Sequence, residues 1–110
     1  MMDTNVCTFT GRLTKDAESK LVGETEVGRY SIAVNGRKDK VMFIDCDHWR
    51  IGGVAEYLTK GTQVCVTGEL EQQSWEKDGQ KKTKVVLSVR SLTLLGAGKR
   101  SEPQEEYSAF

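Results

Sequence analysis

Three large aromatic side chains lie at positions that do not face the predicted hydrophobic core. The stretch KVMFIDCDHW alternates with a period of two, which puts Phe43 and Trp49 on the face opposite Ile44 and Cys46. Trp75 precedes a turn signal, outside any alternating apolar pattern. Large aromatic residues on a polar face are informative because folding alone gives no reason to leave them in water. Their chemistry is stacking on flat, unsaturated rings such as nucleobases.

Cationic side chains accompany these aromatic residues. A single nucleic-acid strand presents one phosphate for each base, so a site that binds it needs positive partners beside its stacking platforms. Seven Lys and Arg residues lie at outward positions or in connections near the rings: Arg12, Arg29, Arg37, Lys38, Lys77, Lys82 and Lys84. Together with the three rings they form the predicted binding site for a single nucleic-acid strand.

Other interpretations of the same residues are open. An outward aromatic ring also covers the end of a small barrel or fills a subunit interface. Lysines at a hairpin tip are often a solvated edge that discourages aggregation. Two acids, Asp45 and Asp47, share the face of the rings and would repel phosphate. We expect them either to point at bridging donors or to limit the affinity.

Five predicted strands and one short helix position these residues. Period-two alternation predicts strands over residues 5–13, 27–35, 40–49, 62–70 and 82–95. Helical spacing between Ile51 and Gly61 predicts a short helix with Val54, Tyr57 and Leu58 on one face, ended by Gly61 in a left-handed cap.

The connections between these elements complete the predicted topology. Asp78-Gly79 predicts a tight hairpin turn. Residues 15–28 are interpreted as a loop. This order of elements is typical of the five-stranded Greek-key barrel of the OB-fold, an all-β class whose open face binds oligonucleotides.

Length and composition indicate one domain with an acidic end. The chain of 110 residues allows a single core, which we assign to residues 1–96, and residues 97–110 are predicted to be a flexible tail. All 16 Lys and Arg lie in residues 1–100 with 13 of the 16 Asp and Glu, so the body is mildly basic. An odd set of three cysteines predicts a reducing compartment, the cytoplasm, and no apolar run predicts a membrane span.

Neither a metal site nor a catalytic centre is predicted. Cys46, Asp47 and His48 are adjacent, but structural zinc needs four ligands and the chain's one His and three Cys are spread over three predicted strands. No phosphate-binding loop and no arrangement of Ser, His and Asp suggests a nucleophile. We therefore expect a protein without a cofactor that is not an enzyme.

Motifs in a fixed order run across nearly the whole chain: NVCTFTGRLTKDAE, GRYSIAVN, FIDCDHWR, AEYLTKGTQVCVTGELEQQSWEKDGQ and an acidic end with a terminal Phe. In this order they resemble the bacterial single-stranded DNA-binding protein family. The resemblance implies base stacking by Phe43, Trp49 and Trp75. Some members place a further aromatic residue after the second strand. This chain has NGRKDK there, so Arg37 and Lys38 are expected to contact phosphate instead.

The resemblance also assigns a role to the acidic end. In the family this end docks replication and repair enzymes, and EEYSAF offers a ring and an α-carboxylate to a basic-rimmed pocket. Ser108 and Ala109 depart from the usual tip, and an end without a role is the alternative. The predicted docking residues are Glu105, Glu106, Tyr107, Ala109 and Phe110. The short linker GAGKRSEPQ suggests a compact member encoded by a phage or mobile element.

These observations predict a cytoplasmic, nucleoid-associated protein that coats single-stranded DNA largely without sequence preference. The resemblance implies a homo-oligomer, tetramer or dimer, that takes part in replication, recombination and repair. Two alternatives stay open. One is an OB-fold adaptor of the primosome type that acts mainly through protein contacts, and the other is an enzyme accessory or small nuclease.

Overall fold

The chain folds almost entirely into strands. The structure is a computed structural model and describes residues 2–96. Its six strands are β1 (Cys7–Leu13), β2 (Glu18–Val22), β3 (Thr25–Asn35), β4 (Val41–Trp49), β5 (Gln63–Lys77) and β6 (Gln80–Gly96). Two short 3₁₀ segments, Arg37–Asp39 and Gly52–Tyr57, precede and follow β4. In the described part of the chain, no helix has the length and apolar character needed to cross a membrane.

Five of the six strands pair with one another in a ring. The sheet order is β1-β5-β6-β4-β3-β2, and β1 also pairs with β3. Two seams of this ring are narrow: β1 and β3 share two residue pairs, and the parallel pair of β4 and β6 also shares two. A partly open five-stranded barrel with a helical segment before its fourth strand is the OB-fold. The predicted all-β fold class is confirmed.

A sixth strand, β2, was not predicted. It lies within residues 15–28, which the sequence pattern had indicated to be a loop, and it pairs with β3 from Glu18↔Arg29 to Val22↔Thr25. Gly23, with φ of +66°, forms the turn between the two strands. All five residues of β2 are exposed, so the strand has no buried face to produce an alternating pattern. Hairpin pairing with β3 across the Gly23-Glu24 turn, rather than a buried face, makes it a strand.

The predicted helix is present but is a 3₁₀ helix of six residues, and it ends earlier than expected. The Leu58 amide donates to the Ala55 carbonyl at 3.1 Å, which closes the helix at Tyr57. Leu58 is buried as predicted, whereas Tyr57 is 59% exposed and does not share an inward face with it. Gly61 has the expected positive φ of 88°, but in the turn before β5.

The long hairpin of β5 and β6 reaches beyond the barrel. Its pairing runs without a break from Gly68↔Val89 to Lys77↔Gln80. Asp78 and Gly79 both have positive φ, 55° and 77°, as a tight type I′ turn requires. The turn predicted from these two residues is confirmed.

The core lies inside the ring of strands. Its fully buried side chains come from β3, β4, β5, β6 and the segment after the 3₁₀ helix: Ile32, Cys46, Val64, Val66, Leu87 and Leu58. One close backbone approach limits the choice of residue. A Cβ on Gly68 would overlap the carbonyl oxygen of Ser88, so β5 and β6 cross here only because residue 68 has no side chain.

Candidate nucleic-acid interface

All three predicted stacking residues are exposed. The exposed fractions of Phe43, Trp49 and Trp75 are 66%, 47% and 43%. Phe43 and Trp49 lie on the outward face of β4, with the buried Cys46 on the other face. Their spacing of six residues corresponds to about 20 Å along an extended strand. None of the three rings is sealed in the core.

Trp75 and a predicted cation are direct neighbours on the hairpin. Trp75 of β5 pairs with Lys82 of β6, and Gln73 pairs with Lys84 in the same alternation. Directly opposite side chains in an antiparallel pair lie about 5 Å apart at Cβ. Lys77 continues the same face toward the turn and is exposed. The hairpin therefore presents a ring with cations beside it and beyond it.

The outward faces of the hairpin and of β4 are continuous. β4 and β6 run parallel, and the pair Asp47↔Ser88 joins their outward faces. The Gln73 side chain donates to Asp47 Oδ2 at 2.9 Å, so the outward face of β5 also reaches β4. Because the strands are parallel, the hairpin tip points to the end of β4 that carries Phe43. We call the outward side of β3, β4, the β5–β6 hairpin and the adjoining Arg12 the aromatic face.

Arg12 borders the aromatic face across the other seam of the barrel. It pairs with Ala33 of β3, and Ala33 pairs with Phe43 of β4. The three side chains therefore form one row across three strands. The Arg12 guanidinium donates from Nη1 to the Gly61 carbonyl at 2.8 Å, which fixes it at this border.

Arg37 and Lys38 lie in the connection between β3 and β4, at the end of β4 nearest Phe43. Both are exposed, and the Gly36 amide donates to the Lys40 carbonyl at 2.7 Å to close the loop. Lys38 and Asp39 adopt positive φ of 56° and 61°, a conformation that costs non-glycine residues energy. The chain thus holds two cations in a strained turn beside the predicted stacking site.

The two acids that β4 contributes to the aromatic face have different surroundings. Asp47 is buried, and both of its oxygens have partners. Oδ1 lies 3.3 Å from Arg29 Nε, and Oδ2 accepts from the Gln73 side chain. Asp45 is half exposed. Its Oδ1 accepts a short hydrogen bond from the Ser31 hydroxyl, and its Oδ2 lies 4.0 Å from Lys84 Nζ. Of the two expected alternatives, the structure shows the first: both acids lie against donors within the protein.

Apart from Arg12, which is hydrogen-bonded to the Gly61 carbonyl, the predicted cations fall into two groups. Arg29 and Lys84 are paired with aspartates within the protein, so part of their charge is already compensated. Of the predicted cations, those that are exposed and have no ion pair within residues 2–96 are the ones in the loop and the hairpin: Arg37, Lys38, Lys77 and Lys82. This second group surrounds the Phe43 end of the aromatic face.

Two polar residues of this face were not among the predicted site residues. Ser31 fixes Asp45, and Gln73 bridges Asp47 and Glu71, whose Oε1 lies 3.2 Å from the Gln73 amide nitrogen. In the structure, β5 continues to Lys77, and alternation along it puts Gln73 on the side of Trp75. That it meets an aspartate 26 residues away depends on the pairing of β4 with β6, for which the sequence holds no local signal.

Tyr30, Cys46 and His48 occupy the inner side of β3 and β4 behind the aromatic face. The Tyr30 hydroxyl lies 3.1 Å from His48 Nδ1. Burial raises the pKa of Tyr30 well above its ordinary value and lowers that of His48. Burial, assisted by the charges of Asp45 and Asp47, raises the pKa of the Cys46 thiol to about 12. The thiol and the imidazole are thus neutral near pH 7, and no group of three potential metal ligands occurs within the described residues.

The predicted docking residues Glu105, Glu106, Tyr107, Ala109 and Phe110 lie outside the described residues, as does the rest of the predicted tail over residues 97–110.

Fold and face together define a class: an OB-fold barrel with exposed aromatic rings among cations. Residues 4–95 match the sequence profile of the Single-strand binding protein family. The Single-stranded DNA-binding protein of Treponema pallidum (strain Nichols) is 40% identical over 110 residues, which cover 88% of this chain and 61% of that protein. The protein of the same name from Borreliella burgdorferi is 35% identical over 113 residues, covering 89% and 74%.

Among solved structures, the fold matches one described as the Plasmodium falciparum SSB complex with ssDNA. The TM-score is 0.76, with 22% identity and coverage of 86% of this chain and 97% of that one. The chain therefore belongs to the single-strand binding protein family. Proteins of this family bind DNA and are not enzymes, in agreement with the expected lack of catalysis. The chain spans 61% of the length of the Treponema protein.

Proposed function

We propose that this protein binds single-stranded DNA largely without sequence preference, with bases stacked on Phe43, Trp49 and Trp75. The observation that carries the proposal is the exposure of all three rings on one continuous face of the barrel. Family membership supports it, as does the function for which the Treponema and Borreliella relatives are named. An exposed ring gains stacking energy from any base, and this explains why binding depends little on the DNA sequence.

Phosphate contacts fall to the cations around these rings. Arg37, Lys38, Lys77 and Lys82 are exposed and have no ion pair over residues 2–96, so their full charge is available to the strand. Arg12, Arg29 and Lys84 are held by protein groups and contribute less, because their attraction to phosphate competes with existing partners.

Fluorescence titration tests this function, because both Trp residues belong to the aromatic face. Oligo-dT should quench the Trp emission at low and at moderate salt, with weaker binding at moderate salt. A duplex of the same length should bind far more weakly, because its bases are not free to stack. Equal affinity for duplex and single strand at moderate salt would instead favour the adaptor function.

We further propose that the acidic end recruits replication, recombination and repair proteins in the cytoplasm. The acids Glu105 and Glu106 would steer the encounter, and Tyr107, Ala109 and Phe110 would enter a pocket that binds the α-carboxylate. Capture of proteins from a bacterial lysate by the intact chain, compared with a chain lacking Phe110, tests this role. Identical captured sets would show that the terminal ring has no docking function.

Assembly into a homo-oligomer, a dimer or a tetramer, belongs to the same proposal. The candidate contact surface is the outward side of β1 around Thr8, because the outward side of β3 belongs to the aromatic face. Association of several barrels lengthens the stretch of DNA that the protein contacts, because the face of one barrel accommodates only a few nucleotides. Light scattering of the full chain measures the number of copies, and a monomer at micromolar concentration would contradict this part of the proposal.

A further inference from the structure

On β4, between the two exposed rings, one carboxylate has an oxygen without a hydrogen-bond donor. Asp47 is 10% exposed at its side chain and uses both oxygens, whereas the Asp45 side chain is 51% exposed. Asp45 Oδ1 is occupied by the Ser31 hydroxyl, but Oδ2 meets only Lys84 Nζ at 4.0 Å. That distance exceeds a hydrogen bond, so the lone pairs of Oδ2 still face solvent.

The position of Asp45 decides which part of a DNA strand it meets. It lies between Phe43 and Trp49 on the same face of β4, two residues from the first ring and four from the second. A strand that stacks on both rings must pass over it. A carboxylate repels phosphate but accepts hydrogen bonds from amino groups. The favourable neighbour for Oδ2 is therefore the edge of a base, with the phosphates directed outward to the lysines.

We propose, on the basis of the single-stranded DNA binding proposed above, that Asp45 selects bases that carry an exocyclic amino group. Cytosine, adenine and guanine each present an amino donor that Oδ2 can accept. Thymine and uracil present one N–H flanked by two carbonyl oxygens, whose lone pairs oppose the carboxylate. Binding is then tolerant of sequence overall but weaker for thymine and uracil at this one position.

Homo-oligomers of deoxycytidine and deoxyuridine give the sharpest comparison. Both bases are pyrimidines without a methyl group, so stacking area is matched and they differ only in the hydrogen-bonding edge. We expect the unmodified chain to bind oligo-dC about 2- to 10-fold more tightly than oligo-dU, the effect of one net hydrogen bond. In Asp45→Asn the ratio should fall to one or below, because the amide can donate to a uracil carbonyl.

Glu76→Gln is the matched control. Glu76 is an exposed acid beside Trp75, and alternation along β5 puts it on the opposite side of the hairpin. Loss of its charge should strengthen binding of both oligomers equally and leave their ratio unchanged. Equal affinities in the unmodified chain, or a preference for oligo-dC that survives in Asp45→Asn, would overturn the role of Asp45. If the protein does not bind single-stranded DNA at all, the result is different, because neither oligomer would then bind better than duplex DNA.

Discussion

Trp75 and Lys82 are direct cross-strand partners in the β5–β6 hairpin, with both side chains on the outward face. This pair unites the two components of the proposed interface, a stacking ring and a cation without an ion pair in the described part of the chain. A nucleotide bound here would have its base against the indole and its phosphate within reach of the ammonium group. Substitutions in the hairpin can therefore separate the stacking energy from the electrostatic energy of DNA binding.

Removal of a stacking ring should weaken binding strongly. Stacking contributes roughly 1 to 3 kcal/mol per base, so Trp49→Ala and Trp75→Ala should each lower affinity for oligo-dT by about 5- to 150-fold. Tyr57→Ala is the control, since Tyr57 is also well exposed but lies on the 3₁₀ helix outside the aromatic face. Anisotropy titration with labelled oligo-dT measures all three. The site assignment is wrong if both Trp variants bind like the unmodified chain.

Removal of a cation should change the salt dependence instead. Each phosphate of a single strand that a cation neutralises adds about 0.7 to the slope of log affinity against log salt, so Lys82→Ala should reduce the slope by about that amount. Lys84→Ala should show a smaller reduction, because Lys84 is already paired with Asp45. Titrations between low and moderate salt give both slopes. Equal reductions would mean that the ion pair opens fully when DNA binds.

The stability of the fold should decrease below about pH 6.5. Burial lowers the pKa of His48 from its ordinary value of 6.5, so in acid the unfolded state takes up the proton before the folded state does. The stabilisation is complete above the unfolded pKa and is lost as pH falls from there toward the folded pKa. His48 is the only histidine, so urea unfolding at pH 7.5 and 5.5 isolates it by comparison with His48→Gln.

The His48→Gln variant keeps a hydrogen-bonding partner for the Tyr30 hydroxyl but does not titrate in this range. Its loss of stability between the two pH values should be smaller than that of the unmodified chain. An identical loss in both proteins would assign the pH dependence to the carboxylates.

Gly68→Ala should destabilise the barrel by about 1 to 3 kcal/mol, the usual cost of forcing extra volume into a packed site. The added Cβ would overlap the Ser88 carbonyl, a backbone atom that cannot move without disturbing the pairing of β5 with β6. Gly53→Ala is the control, because its Cβ would meet no atom within 4 Å and its φ is not positive. Thermal unfolding should separate the two variants clearly, and equal melting temperatures would show that the crossing can relax.

Several parts of this protein were determined by the sequence alone. Alternation identified five strands and the outward position of Phe43 and Trp49, because a period of two fixes which side of a strand each residue occupies. The Asp78-Gly79 pair predicted the hairpin turn, because few residues tolerate two successive positive φ angles. These features depend on interactions between residues close together in the chain.

Other features were decided only by tertiary structure. The five exposed residues of β2 carry no pattern of burial, and β2 is held as a strand by a neighbour, β3, that β1 and β4 fix in the barrel. The surroundings of the two aspartates are likewise set by residues distant in the chain. Gln73 and Arg29 occupy both carboxylate oxygens of Asp47, whereas one oxygen of Asp45 has no hydrogen-bond donor. Sequence periodicity places a side chain on a face, but the charge that this face presents depends on which strands the fold brings together.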